Sequence, residues 1–270
     1  MSSHEPKNPP GRPSRVRPPF RWWSSALLGG LLLASPAGAQ TASSTAIVGV
    51  VELFTSQGCA SCPDADAALT ELSRDERVLA LSYHVDYWDY IGWKDPLGSP
   101  RNSERQRAYA KAMGLPSVFT PQMIVNGSRD VEVADHGGVE QVLDQATLPV
   151  RESAVELRLS KVGSTLHIEA DALGDPAGGG QAVLILVTYS DLTTTSVERG
   201  ENAGRDLVNS RSVRDWQVVG KMMGKPIELD MPIATLAGAD AGATGCAVLL
   251  QAMGEDGSPG PILAAAALPL

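Results

Sequence analysis

A chain of 270 residues with 43% apolar side chains can bury the core of one large domain or of two ordinary ones. Its formal net charge of -9 excludes nucleic acid as the main partner, because phosphate binding needs a basic face. Three cysteines are too few for a four-thiolate zinc site.

Residues 1–39 read as an export signal. Lys7, Arg12, Arg15, Arg17 and Arg21 precede the apolar run SALLGGLLLA, and Ala37 and Ala39 occupy the small-residue positions of a cleavage site. A secretory signal peptide cut after Ala39 is expected, since the apolar run is too short to span a bilayer comfortably. Residues 40–270 then carry 17 basic and 30 acidic side chains, a net charge of -13. The expected product is an acidic periplasmic or secreted protein with no stable membrane span. In such compartments disulfides persist.

The run AIVGVVELFTS, 46–56, is β-rich and almost continuously apolar, as a central strand covered on both faces would be. GCASCP follows, with Cys59 and Cys62 spaced as CxxC. PDADAALTELSRD carries Ala65, Ala68, Leu69 and Leu72 at helical spacing, and Pro63 suits a first helical turn. VLALSYHV, 78–85, predicts a second buried strand, completing a βαβ unit with parallel strands. An aromatic loop, DYWDYIGWKDP, leaves that strand. RNSERQRAYAKAMG predicts a helix capped by Ser99 and stopped at Gly114. In VFTPQMIVNGSRDVEV, Asn126-Gly127 predicts a hairpin, and ADHGGVEQVLDQATL predicts a last helix.

Beyond residue 150 the texture changes. Residues 153–173, 181–195 and 245–268 alternate and are rich in β-formers, which predicts a small β-sandwich. Cys246 reads as a small apolar residue in a buried strand. ERGENAGRD, 198–206, has no flanking βα context and reads as a loop or strand end, for which the first domain is a candidate packing surface.

The chemistry centres on Cys59 and Cys62. A helix N-terminus offers unpaired N–H groups and the positive end of the dipole, and both favour a thiolate. Helical geometry is expected to point Cys59 outward as nucleophile and to tuck Cys62 beneath it as the resolving cysteine. Thr120-Pro121 enters the hairpin strand, and a cis bond there would bring the Thr120 backbone beside the disulfide. The loop after the second strand should emerge on the same edge of the sheet. Its residues His84, Asp86, Tyr87, Trp88 and Trp93, with Lys94 and Asp95, are candidates for a substrate-binding rim. His84 is also a candidate base, or a third ligand with both thiolates for copper(I).

FTSQGCASCP followed by FTPQMIVNG resembles the thioredoxin superfamily. VELFTSQGCASCPDADAAL, LSYHVDYWDYIGWKDPLGSP, ERQRAYA, VFTPQMIVNG and ERGENAGRDL resemble an exported bacterial family catalogued as domain of unknown function 1223. The resemblance implies an α/β thioredoxin-like domain over 40–150, followed by a smaller all-β, sandwich-like domain over 151–270. It also implies a dithiol site at Cys59 and Cys62. Better-known thioredoxins carry a buried Asp in the first strand; the corresponding residue here is Leu53, with Glu52 beside it on the opposite strand face. The expected activity is thiol–disulfide exchange with protein thiols or disulfides and no organic cofactor. The alternative is copper(I) handling, or binding by a non-enzymatic protein whose CxxC is a structural disulfide.

Overall fold

Every residue of Gly49–Thr55 is buried, and the place of this strand in a large mixed sheet explains it. The computed structural model describes residues 1, 39–131, 148, 154–173, 181–222, 224–236 and 242–270. Its strands are β1 (Gln40–Ser43), β2 (Gly49–Thr55), β3 (Val78–His84), β4 (Gln122–Val125), β5 (Arg129–Val131), β6 (Ala154–Val162), β7 (Thr165–Leu173), β8 (Gln181–Ser196), β9 (Asp206–Met222), β10 (Ile227–Pro232), β11 (Gly245–Met253) and β12 (Pro259–Pro269). The two longer helices are α1 (Cys62–Leu72) and α2 (Pro100–Ala112).

Eight strands form one sheet in the order β12-β11-β8-β9-β3-β2-β4-β5, and four form a second in the order β1-β6-β7-β10. β2 and β3 run parallel in the register Thr55 opposite His84, as the βαβ reading requires. On the other side of β3 the partner is β9, also parallel, with Ser82 opposite Ser212.

That pairing overturns the expected fold class. Among the described residues 51% are strand and only 17% helix, in two large sheets. This is not an α/β thioredoxin-like domain followed by a small β domain. Of the strands beyond residue 150, β8, β9, β11 and β12 continue the sheet begun by β2 and β3, because the backbone edge of β3 is closed by β9, while β6, β7 and β10 form the second sheet with β1. The boundary placed between 150 and 151, like the helix expected over 134–148 apart from Leu148, lies outside the described residues. So does the signal segment up to residue 38. No helix among the described residues is long and apolar enough to cross a membrane.

Strand periodicity distributes the apolar residues between cores. On β2, Val50 and Phe54 face the side covered by Tyr109 of α2, while Val51 and Leu53 pack against Ala65 and Leu69 of α1. On β11, Ala247 and Leu249 join the first of these cores. Val248 and Leu250 pack instead against Leu157, Leu159 and Ile168 of the four-stranded sheet.

Local signals hold where they are purely local. Ser99 caps α2 by accepting the N–H of Arg101 at 3.3 Å, and Gly114 beyond its end has φ +68°. Asn126 and Gly127, at φ 49° and 66°, turn β4 into β5. A Cβ on Gly127 would sit 2.8 Å from the carbonyl oxygen of Gly260, so this position needs glycine twice over. The turn also ties strands together. Asn126 Oδ1 accepts the N–H of Val50 at 2.7 Å, and its backbone carbonyl accepts the N–H of Ile262 at 2.9 Å.

A buried polar network crosses the same core. Arg105 Nε donates to Glu52 Oε1 at 2.8 Å, and Tyr109 donates to Glu52 Oε2 at 2.5 Å. Arg105 also donates to Gln251 Oε1 at 3.1 Å. Gln251 Nε2 in turn donates to the Tyr109 hydroxyl at 2.7 Å. Glu52 on β2 is thereby joined through α2 to β11.

Candidate functional site

Cys59 and Cys62 are joined in a disulfide with a Cα–Cα distance of 5.4 Å. The chain leaves β2 at Thr55, turns through Ser56–Ser61, and enters α1 at Cys62. Pro63 falls in the first helical turn, where its missing N–H leaves no gap in the ladder. Contrary to the expectation of an outward Cys59, both cysteines are buried, at 1% and 0% exposure, and it is Ala60 and Ser61 that face solvent. The helix begins three residues later than Cys59, so Cys59 lies in the turn and not on the helical face that would have presented it.

The surroundings of Cys59 Sγ are polar. The Ser61 hydroxyl lies 3.4 Å away and the carbonyl oxygen of Thr120 3.8 Å away. Within the disulfide the sulfur has no proton, so Ser61 is the donor. Thr120-Pro121 is a cis peptide. Trp88 Nε1 donates to Thr120 Oγ1 at 2.7 Å, which fixes this segment to the aromatic loop. Gly58 allows the approach from the other side, since a Cβ there would meet Cβ of Trp88 at 3.2 Å.

The aromatic loop is only partly a rim. Trp88 stacks on Tyr90 with ring centroids 6.3 Å apart, and Tyr90 is 81% exposed. Tyr87 donates to Gln106 on α2 at 3.1 Å. Trp93 turns inward and donates to Gln57 Oε1 at 3.1 Å. Asp86 is not brought to the disulfide; it accepts the Ser103 hydroxyl of α2 at 2.5 Å. His84 is fully buried beneath the site and not on its edge, with Nδ1 2.7 Å from Asp95 Oδ2. Among the described residues no group of three His, Cys, Asp or Glu side chains is placed to hold a metal ion.

Asp95 organises this layer. Its Oδ2 also accepts the N–H of Gln57 at 2.8 Å, and its Oδ1 that of Leu97 at 2.8 Å. Burial disfavours a carboxylate, but the charge and hydrogen bond of His84 outweigh it and hold Asp95 below the usual range. Burial likewise disfavours an imidazolium, yet Asp95, helped by Asp66, lifts His84 above its ordinary value. Asp66, on α1, is pushed up to about 6 by burial, an effect that His84 partly offsets.

Two side chains around the CxxC escaped the sequence reading. Asn202, in the ERGENAGRD loop between β8 and β9, donates from Nδ2 to the carbonyls of Gln57 at 3.0 Å and Cys59 at 2.8 Å. Arg205 holds its amide oxygen at 2.9 Å. Asp66 is the other, and its signal was present: a charged residue between Ala65 and Leu69 in the apolar stripe of α1. Asn202→Ala removes the side-chain donor from both carbonyls, of which that of Cys59 still accepts the N–H of Cys62, so a loss of about 1–2 kcal/mol is expected. It should also speed reduction of the disulfide by dithiothreitol, because Asn202 pins the backbone of the turn that carries Cys59. Unchanged stability and unchanged reduction rate would remove Asn202 from the site.

Residues 50–251 match the family model described as protein of unknown function (DUF1223). The chain belongs to this family. Among solved structures it is similar to protein AGR_C_4864 from Agrobacterium tumefaciens, at 38% identity and a TM-score of 0.68, over 82% of this chain and 94% of that one. It is also similar to HBP35 of Porphyromonas gingivalis, at 16% identity and a TM-score of 0.56, over 83% of this chain and 75% of that one, a likeness of fold. No curated protein matches it. In DUF1223 terms, the family match takes in the disulfide, the aromatic loop, the Thr-Pro segment and Asn202 together.

Proposed function

We propose that this DUF1223 member is an exported thiol–disulfide oxidoreductase acting on protein thiols or disulfides. The observation that carries the reading is the Cys59–Cys62 disulfide at a strand-to-helix turn, with the Thr120 carbonyl and the Ser61 hydroxyl both at Cys59 Sγ. The export half of the reading rests on the basic and apolar pattern of residues 1–39. Kinship with the thioredoxin superfamily is proposed for this site alone, on the CxxC turn and the Thr-Pro segment facing it.

In the oxidising direction a substrate thiolate attacks Cys59 Sγ. A bond forms between the substrate sulfur and Cys59, and the Cys59–Cys62 bond breaks with its electron pair left on Cys62. A second substrate thiolate then attacks the substrate sulfur of the mixed disulfide and releases Cys59. The substrate dithiol is oxidised to a disulfide and the CxxC is reduced, two electrons in all. The Ser61 hydroxyl stabilises the departing Cys59 thiolate by a charge-assisted hydrogen bond.

Burial of both sulfurs favours a second reading, a structural disulfide in a binding protein. Titrating the purified protein in glutathione and dithiothreitol buffers separates the two. Exchange chemistry expects a midpoint above about -300 mV, and a Cys62→Ala variant that accumulates mixed disulfides through Cys59. A pair that stays oxidised well below that potential, with no trapped partner, would sink the enzymatic reading.

A further inference from the structure

Helix α1 and the start of β9 leave between them a cleft of about 310 Å³, open to solvent. Ligand pockets run from about 300 to 1,000 Å³, so this one has room for a single long side chain and little more. Its position ties it to the disulfide. One end is Pro63, the residue after Cys62, and the other is Glu71, eight residues further along α1. At 1.5 Å per residue the cleft runs about 12 Å down the helix. On the other bank it begins at Arg205, which holds the Asn202 amide oxygen at 2.9 Å, and Asn202 in turn bonds the Cys59 carbonyl. A polypeptide laid across the exposed Ala60 and Ser61 therefore continues straight into it.

The lining has two characters. Pro63, Ala67 and Val208 give an apolar wall, and Val208 is 47% exposed. Carboxylates surround that wall. Asp66, 4% exposed, belongs to the floor, while Glu71 and Asp206 stand exposed at the rim. Against these three acids there is one guanidinium in the lining, Arg205, and it is turned toward Asn202. Asp206 accepts the neutral Ser196 hydroxyl at 2.5 Å, which leaves its charge uncancelled. Glu71 pairs with Arg74 at 2.6 Å, but both side chains are largely exposed, and such a pair is weak and easily exchanged. An apolar wall ringed by acids suits a side chain with a long aliphatic stem and a cationic head. A carboxylate would be repelled there, and a plain aliphatic side chain would leave the acids unanswered. The chain's net charge of -9 draws partners of the same sign as that head.

We propose that this cleft selects protein partners that carry an arginine or lysine three or four residues from the cysteine that attacks Cys59. The proposal rests on the exchange reading above and narrows its substrate class. The spacing follows from length: an extended chain advances about 3.3 Å per residue, so four residues cover the 12 Å cleft. The stem lies along Val208, Ala67 and Pro63, and the cationic head meets Glu71 and Asp206.

The test uses synthetic peptide dithiols that differ in one residue, arginine, leucine, alanine or glutamate, placed three or four residues to either side of the cysteine pair. Each reduces the oxidised wild-type protein, followed by mass shift. Each rate is divided by that of the same peptide with glutathione disulfide, which removes differences in thiol acidity. The arginine peptide should react about fivefold faster than the alanine peptide, and the glutamate peptide more slowly than either. The preference should vanish in about 1 M salt, where the screening length is about 3 Å. It should reverse in the double variant Glu71→Lys with Asp206→Lys, two exposed positions. Equal corrected rates for all four peptides overturn the proposal, and so does a leucine peptide as fast as the arginine one. An arginine preference that persists in high salt or in the double variant places the selection elsewhere and also overturns it. In each of these outcomes the disulfide still opens, and the exchange reading stands. A disulfide that neither the peptides nor dithiothreitol can open overturns the exchange reading itself.

Discussion

Arg105→Met is expected to destabilise the protein by about 3–5 kcal/mol, because it leaves Glu52 buried without its cation. Glu52 is inaccessible to solvent and Arg105 nearly so. The guanidinium donates to Glu52 Oε1 at 2.8 Å, to the Tyr109 hydroxyl at 3.0 Å and to Gln251 Oε1 at 3.1 Å. It also lies over the rings of Tyr83, Tyr109 and Trp216, at 5.5, 5.0 and 5.5 Å. Methionine can replace the packing of the stem but none of these donors. The double variant Glu52→Leu with Arg105→Met removes both charges, and should recover most of the loss. Urea denaturation of the three proteins reads this directly from the shift of the midpoint at constant slope. A single variant within about 1 kcal/mol of wild type would mean that water reaches Glu52 when the arginine leaves.

The same network shows which parts of the molecule were legible in the sequence. Val50, Val51, Leu53 and Phe54 announced a strand covered on both faces, and the spacing of Ala65, Ala68 and Leu69 announced α1. Both are readings over a few residues. The hairpin at Asn126-Gly127 was legible for the same reason. Glu52 inside that apolar run was itself a signal of a buried partner, but nothing local pointed to Arg105, 53 residues away, or to Gln251. Helix α2 is polar in composition and still buries Asn102, Ser103, Arg105 and Gln106, because its partners are polar groups of other elements. A hydrophobic pattern cannot register such a face.

The fold class failed on one non-local pairing. β-rich texture after residue 150 fits a free-standing sandwich and an extension of the first sheet equally well. The parallel pairing of Ser82 with Ser212 decides between them, and no turn signal encodes it. The site suffered likewise. The CxxC turn and the Thr120-Pro121 contact were legible, because strand end and helix start place them. Asn202 bonds carbonyls 143 and 145 residues distant, so ERGENAGRD could be seen as unusual but not assigned a target. His84 was placed on the rim from its position at a strand end. The parallel register with Thr55 and the bond to Asp95 put it underneath.

Asp66→Asn is expected to make the folded protein more stable at pH 8, by about 3 kcal/mol. The sign follows from proton linkage. Burial raises Asp66 from 3.8 to about 6, so between these values the native state holds a proton that the unfolded chain has lost. Stability therefore falls as pH rises across that window, and above it the fold carries a buried carboxylate. A shift of about two units at 1.36 kcal/mol each gives the magnitude. Asparagine is neutral at every pH and escapes this loss. Wild type and variant should converge well below pH 3.8, where Asp66 is protonated in both states, draw apart between 3.8 and about 6, and differ fully above that window. For a chain of this size the gain at pH 8 corresponds to about 6–12 °C in the thermal midpoint. Asp95 remains in the variant and still lifts His84, but the part of that lift supplied by Asp66 is lost; in wild type His84 is stabilising below about 6.5 and less so as pH rises through its elevated native value, and Asp95 the reverse at acid pH. A variant less stable than wild type at pH 8 would mean that the Asp66 carboxylate is held as the partner of a charged His84. A more stable one would mean that the chain keeps a destabilising acid one helical turn from its disulfide, which structure alone gives it no reason to keep.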